Sequence, residues 1–286
     1  MGVQSLSAGA GAHENEDCVA VCAGDGLTDL IVIDGGSSVA ERHYVDEVRG
    51  DVAWFAQEFA AALVSTLDAA TTQGDAAVAA AHRLHRDFVA RTQGQEVPAY
   101  AWPIAAMTWA RIRRVEGGQR LQLYSLGDCK TLLRTAEGRT IDLDPFVNPQ
   151  EAVLQAEIAR LVAQGLTDAA QRKARLLPML RERRVQQNAA ASPSILCLKP
   201  AGPFAARTLE LRLDPGAALL VMTDGFYRLV DPYGLHTDAS LVERCAEAGL
   251  NAVLEELRAF ESGSVAGGAL TVKRADDASA VLWLPD

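Results

Sequence analysis

The sequence has no window of 18 uninterrupted apolar residues, which excludes a transmembrane helix. It has no long basic block and little lysine, four Lys against 23 Arg. The formal charge is −10 and the pI is about 5.0, so general nucleic-acid binding is not expected. Cysteine is sparse, scattered and odd in number: Cys18, Cys22, Cys129, Cys197 and Cys245. No pair has zinc-knuckle spacing, so all five read as small core residues in a reducing cytoplasm. No Pro/Ser-rich linker, low-complexity tract or internal repeat divides the chain, and one domain over 1–286 is the expectation. The opening MGVQSLSAGAGA lacks the basic and apolar regions of a signal peptide, and Leu6 breaks the myristoylation pattern. A cytoplasmic protein without membrane insertion is expected.

What is present is an ordinary globular composition, 49% apolar and 22% charged over 286 residues, which excludes a disordered or fibrous chain. Residues 17–24 and 29–34 read as strands joined through Asp25-Gly26, Leu27 and Thr28, a hairpin signal. Asp51 is expected to cap a helix carrying Val52, Phe55, Phe59 and Leu63 at helical spacing. Gly74-Asp75 is expected to break that helix from a second one over about 75–91. Strands are expected at 103–112 and 120–126, turned by Glu116-Gly117-Gly118, and again at 129–135. Residues 149–187 read as two helices separated at Gly165, with Thr167 or Asp168 capping the second and Pro178 kinking it. Further strands are expected at 194–199, 207–213, 217–223 and 279–284, with helices near 238–248 and 250–260 and a Gly-rich loop over 263–268. Hairpin-linked strands with helices grouped in pairs argue for an α+β fold with two stacked antiparallel sheets and helices outside.

Charge is unevenly spread. Residues 151–190 hold seven basic and four acidic side chains, which leaves −13 for the rest of a chain of net −10.

Several acidic residues share one context: they stand at strand ends. Asp34 ends DLIVIDGG, Asp128 ends LQLYSLGD, and Asp224 ends ALLVMTDG. Asp276 and Asp277 precede SAVLWL, and Glu16-Asp17 opens the first strand. One Asp-Gly at a strand end starts a turn. Many converging on one rim would repel one another and call for cations. All-oxygen donors without a His or Cys set select Mg²⁺ or Mn²⁺. Two such ions about 3.5–4 Å apart activate water for attack on a phosphoryl group.

The ordered set NED, IVIDGG, SLGDCK, LLVMTDGF and DDASAVLWL resembles the metal-dependent (PPM, type 2C) protein serine/threonine phosphatases, above all their short bacterial members. The resemblance runs from about residue 5 to residue 284. It implies an α-β-β-α fold with a central β-sandwich, hydrolysis of phosphoserine and phosphothreonine, and two Mn²⁺ or Mg²⁺ ions with a third, weaker one. By position, Asp34 resembles the ligand that bridges both ions, and Gly35 would offer its carbonyl. Glu16 would serve the second ion, and Asp224 and Asp276 the first. Asp17 would orient waters, and Asp128 matches the acid of the third site. The catalytic set implied is Asp34, Asp17 and Asp224. The implied partner is a phosphorylated protein, substrate of a serine/threonine kinase.

There are departures. The family often has a phosphate-binding Arg where this chain has Ala12, with His13 and Arg42 as candidate substitutes. Gly36 stands where eukaryotic members carry a general-acid His. Asp277 falls where many members have Asn, and Lys130, where many have Arg, reads as part of a solvated loop. A helical segment at about 145–190 replaces a short flap, and is expected to form a substrate or partner element. Two other readings are weighed. One is a non-catalytic regulatory protein on the same fold that binds a partner through 145–190. The other is a nucleotide enzyme using IVIDGGSS as a phosphate loop, which lacks the Gly-Lys-Ser/Thr signature.

Overall fold

The computed structural model describes residues 2–11, 13–24, 26–68, 70–263 and 275–285. Among these, strands with both faces buried dominate the centre. In β3 (Leu27–Gly35), Leu30 and Val32 point one way and Ile31 and Ile33 the other, and all four are fully buried. A strand of this kind needs cover on each face.

Two antiparallel sheets supply half of that cover. One sheet runs β2 (Cys18–Gly24), β3, β4 (Ile104–Val115), β5 (Gly118–Leu126) and β9 (Arg207–Leu213), with the two-residue β8 (Leu196–Cys197) on the start of β4. The other runs β1 (Gly2–Ala8), β11 (Ala278–Leu284), β10 (Ala218–Met222), β6 (Lys130–Arg134) and β7 (Thr140–Asp142). Leu30, Val32, Leu121 and Leu123 of the first sheet pack on Leu133, Leu219, Val221 and Trp283 of the second. The outer face of the first sheet is covered by α1 (Asp51–Val64) and α2 (Gln73–Arg91), through Phe55, Phe59, Leu84 and Phe88. The outer face of the second is covered by α6 (Asp238–Ala248) and α7 (Leu250–Gly263), through Leu241, Val253 and Leu257. Burying each such side chain contributes roughly 1.5–3 kcal/mol. The layers are therefore α-β-β-α, as expected. No described helix is long and apolar enough to cross a membrane.

Several sequence expectations need correction. β1 was not anticipated: its run GVQSLSA carries only two large apolar residues, and its pairing with β11 comes from the far end of the chain. β7 was also missed. β6 follows β5 closely but joins the opposite sheet, pairing with β10. The first hairpin is tighter than expected, since Leu27 and Thr28 already pair with Gly24 and Ala23; Asp25 lies outside the described residues. Gly50, not Asp51, is the N-cap of α1. The buried Asp51 carboxylate instead accepts the backbone N–H groups of Tyr44, Val45 and Asp46 at 2.8, 2.9 and 3.1 Å, which ties down the loop before the helix. Gly74 and Asp75 lie within α2, whose cap is Thr72, bonded to the Asp75 N–H. The expected strand at 194–199 is reduced to β8, and the Gly-rich stretch beyond Gly263 lies outside the described residues. Cys129, Cys197 and Cys245 are buried, whereas Cys18 and Cys22 are only half-buried.

The segment around 145–190 forms α3 (Pro149–Ala163) and α4 (Ala169–Ala189). Asn148 and Asp168 cap them, and α4 runs through Pro178 as one helix. The pair has a small core of its own, Ile158, Leu161 and Leu176.

Candidate metal centre

Antiparallel pairing brings the expected residues to one rim. β2 begins where β3 ends, so Glu16 and Asp17 stand beside Asp34. β4 begins at that same end, so β5 ends there and delivers Asp128. In the other sheet β10 ends where β11 begins, which sets Asp224 next to Asp276 and Asp277. Asp224 opens the single-turn α5 (Asp224–Tyr227).

These acids act on one another. Burial, then the charges of Asp224, Asp17 and Asp128, push the Asp34 carboxyl well above the usual carboxylate range, with Asp224 the strongest of the three. Asp17 is pushed up to about 8, chiefly by burial and also by the Asp277 and Asp224 charges, against hydrogen bonds from Ser279 and Thr223. Cys129 sits beneath the cluster. Burial and the Asp34, Asp128, Asp17 and Asp224 charges hold its thiol well above its ordinary range, so it is no nucleophile.

Close packing fixes the cluster. A Cβ on Gly35 would lie 2.5 Å from Val52 Cγ1 and 2.6 Å from the Glu16 carbonyl, so glycine lets α1 and the Glu16 segment close on the end of β3. A Cβ on Gly225 would lie 1.9 Å from the Asp277 carbonyl oxygen and 3.2 Å from Asp276 Cβ, so glycine seats the start of α5 on the acidic pair before β11. Asp277 is a clamp: its two oxygens accept the N–H groups of Ala10 and Glu16, each at 2.7 Å. Asp276 accepts the Asp277 N–H at 3.1 Å.

The candidate substitutes divide. His13 lies against the rim, with a ring nitrogen 3.8 Å from Asp277 and within 4.8 Å of a Glu16 carboxylate oxygen. Arg42 stacks on Tyr44 and reaches Gln95 instead. Ala12 lies outside the described residues. Lys130 is not a solvated loop residue; it opens β6 and pairs with Asp142 at 3.2 Å. Gly36 is closely packed. Gly36 donates to the Ile104 carbonyl at 2.9 Å, and a Cβ there would lie 3.0 Å from Ile104 Cγ1. The buried Arg184 covers it, donating to the carbonyls of Gly36 and Ser37 at 3.2 and 3.0 Å.

Sequence reasoning did not find Thr223, Ser279 or Asn148. The Thr223 hydroxyl donates to Asp17 at 3.0 Å and accepts the Ser279 N–H at 3.0 Å. Asn148 donates to Asp128 at 3.0 Å and accepts from Arg183 at 3.2 Å. Thr223 was legible only as the Thr of LLVMTDG, and nothing in the sequence marked Asn148.

The donor set fits hard divalent cations. It is all oxygen, and burial and neighbouring charge raise two of the rim acids, Asp17 and Asp34, above the usual carboxylate range. Bound cations remove that conflict.

Compared with protein-family models and with curated protein sequences, the chain matches none. Solved structures do match. The catalytic domain of the serine/threonine phosphatase PstP, solved with two manganese ions, is 17% identical with a TM-score of 0.53, covering 98% of this chain and 96% of that one. The S. agalactiae serine/threonine phosphatase is 14% identical with a TM-score of 0.55, covering 99% of each chain. The phosphatase Stp1 from Staphylococcus aureus is 13% identical with a TM-score of 0.54, covering 99% of this chain and 94% of that one. This chain has the fold of the PPM-type serine/threonine phosphatases.

Proposed function

We propose that this chain is a Mn²⁺- or Mg²⁺-dependent phosphatase that removes phosphate from phosphoserine and phosphothreonine of a protein substrate. One observation carries the reading: antiparallel pairing brings four acids from four separate strand ends, Asp17, Asp34, Asp128 and Asp224, to one rim, where the other three charges act on the buried Asp34. Folding keeps such a cluster at a cost, and cations at a reaction centre account for it. The ions would supply Lewis acidity that activates water and neutralises the phosphoryl oxygens.

Asp34 would stand between the two ions, with Asp224 and Asp276 holding the first and Glu16 and the Gly35 carbonyl the second. Asp128, farther along the rim with Asn148, suits a weaker third site. Asp17 is buried and held by Thr223, and in this reading it would orient the attacking water. Residues 1–286 form one catalytic unit in this reading, with the helical insertion at about 145–190 beside the rim as the element that meets the phosphoprotein. A cytoplasmic enzyme opposing a serine/threonine kinase fits this chemistry.

A second reading has an observation of its own. Val147 and Val153, 80% and 52% exposed, lie at and on α3, as a partner-binding regulatory protein would present them. Phosphate release from a phosphoserine peptide, with and without Mn²⁺, separates the two. The enzyme reading expects metal-dependent turnover, and the regulatory reading expects none.

A further inference from the structure

A phosphate monoester dianion approaching this rim meets Glu16, Asp17, Asp34, Asp128, Asp224 and Asp276. Those acids repel the anion, so a nearby cation of the protein's own would help to hold it. Its identity follows from how the arginines of α4 are used.

Arg181 is committed: its Nε donates to the Val39 carbonyl at 2.9 Å and its Nη2 pairs with Glu41 at 2.8 Å. Arg184 is committed to the carbonyls of Gly36 and Ser37. Arg207, across the rim, places the side-on fork of its Nε and Nη2 on the two oxygens of Asp144, each at 2.6 Å. Arg183 differs. Its fork holds one neutral acceptor, Asn148 Oδ1 at 3.2 Å, and its Nε–H is buried with no partner. The side chain is half-buried, and the nearest charges acting on it are Asp128 and Glu151. An arginine N–H left without an acceptor costs free energy that an incoming oxyanion recovers. The planar fork matches two phosphate oxygens.

We propose that Arg183 is the substrate-phosphate donor of this site, delivered by α4 and held by Asn148 until an anion replaces the amide. This assignment rests on the phosphatase reading. Asn148, bonded to Asp128 on its other side, fixes where the guanidinium waits.

Calorimetric titration of inorganic phosphate into the full-length, Mn²⁺-loaded protein tests it, alongside titration of Mn²⁺ itself. Arg183→Met should raise the phosphate Kd and the KM for p-nitrophenyl phosphate roughly tenfold to a hundredfold, with kcat changed far less. Arg183→Lys should recover part of that loss, since it keeps the charge without the fork. Asn148→Asp retains a good helix cap but occupies Arg183 with a carboxylate, so it should weaken phosphate with Arg183 intact. Mn²⁺ affinity should stay level or tighten in Arg183→Met, because a cation leaves the rim. Unchanged phosphate binding in both Arg183→Met and Asn148→Asp overturns the assignment. So does a parallel loss of Mn²⁺ affinity, which would mean that Arg183 acts only by propping Asp128. The wild-type chain reports on the wider reading separately: if it releases no phosphate with Mn²⁺, the phosphatase proposal fails, whatever Arg183 binds.

Discussion

The Thr223 hydroxyl donates to the Asp17 carboxylate at 3.0 Å, joining the end of β10 in one sheet to the start of β2 in the other. The same oxygen accepts the Ser279 N–H from β11. Thr223 thus locks the register of three strand ends around the rim and fixes the orientation of Asp17. Thr223→Val preserves shape and removes both bonds. Leaving buried polar groups unpaired costs about 1–3 kcal/mol, so Tm should fall by several degrees. Mn²⁺-dependent turnover should drop more than the stability loss explains, because Asp17 loses its orientation. Thermal unfolding and phosphate release on one sample check both.

The acidic rim makes metal-free stability depend on pH. Asp17 is raised from 3.8 to about 8 in the folded protein, and Asp34 is raised as well. A carboxyl raised on folding stabilises the protein fully below its unfolded pKa, and that contribution is lost as pH rises through the folded value. Metal-free Tm should therefore decline from about pH 4 to about pH 8. Stabilisation by Mn²⁺ should grow over the same range, since ions compete with protons. In Asp34→Asn the decline should be shallower and the metal-free protein more stable near pH 7.5. An identical slope in mutant and wild type would show that the cluster does not carry the effect.

Gly225 is where α5 meets the entry to β11. Gly225→Ala brings a Cβ to within 1.9 Å of the Asp277 carbonyl unless the backbone moves. Overpacking of this kind typically costs 1–3 kcal/mol, and here the movement separates Asp224 from Asp276. Mn²⁺ affinity should fall together with Tm. Retained affinity at lowered Tm would mean that the two acids do not share an ion.

Much of this was legible in the sequence, for identifiable reasons. Runs such as LIVI in β3 and ALLVM in β10 are apolar without a break, because both faces are buried between a second sheet and a helix layer. Their acidic ends stand out against that background. Edge strand β1 did not, because GVQSLSA is stabilised by partners in β11 at the opposite end of the chain. The transfer of β6 to the second sheet was hidden for a similar reason, since SLGDCK resembles a local turn. The buried pair of Asp29 and Arg111, 2.7 Å apart on the helix-facing side of the first sheet, looks in sequence like two ordinary charges. The arginines of α4 read only as a basic cluster; the docking of that helix against residues 36–41 separates the committed Arg181 and Arg184 from Arg183.

Asp128 is bonded to Asn148 rather than to the acids around Asp34. Asp128→Ala should lower turnover while calorimetry still finds two tight Mn²⁺ sites. Loss of a tight site would place Asp128 in the principal pair.

The central claim is that Asp34 organises a metal-dependent phosphatase centre. The direct test is Mn²⁺-dependent phosphate release from a phosphoserine peptide by wild type and by Asp34→Asn, with folding checked by circular dichroism. The account predicts turnover in the wild type that vanishes with a chelator, and at least a hundredfold loss in a folded Asp34→Asn, roughly 2.7 kcal/mol of barrier. Full activity in folded Asp34→Asn, or chelator-insensitive turnover in the wild type, would contradict it.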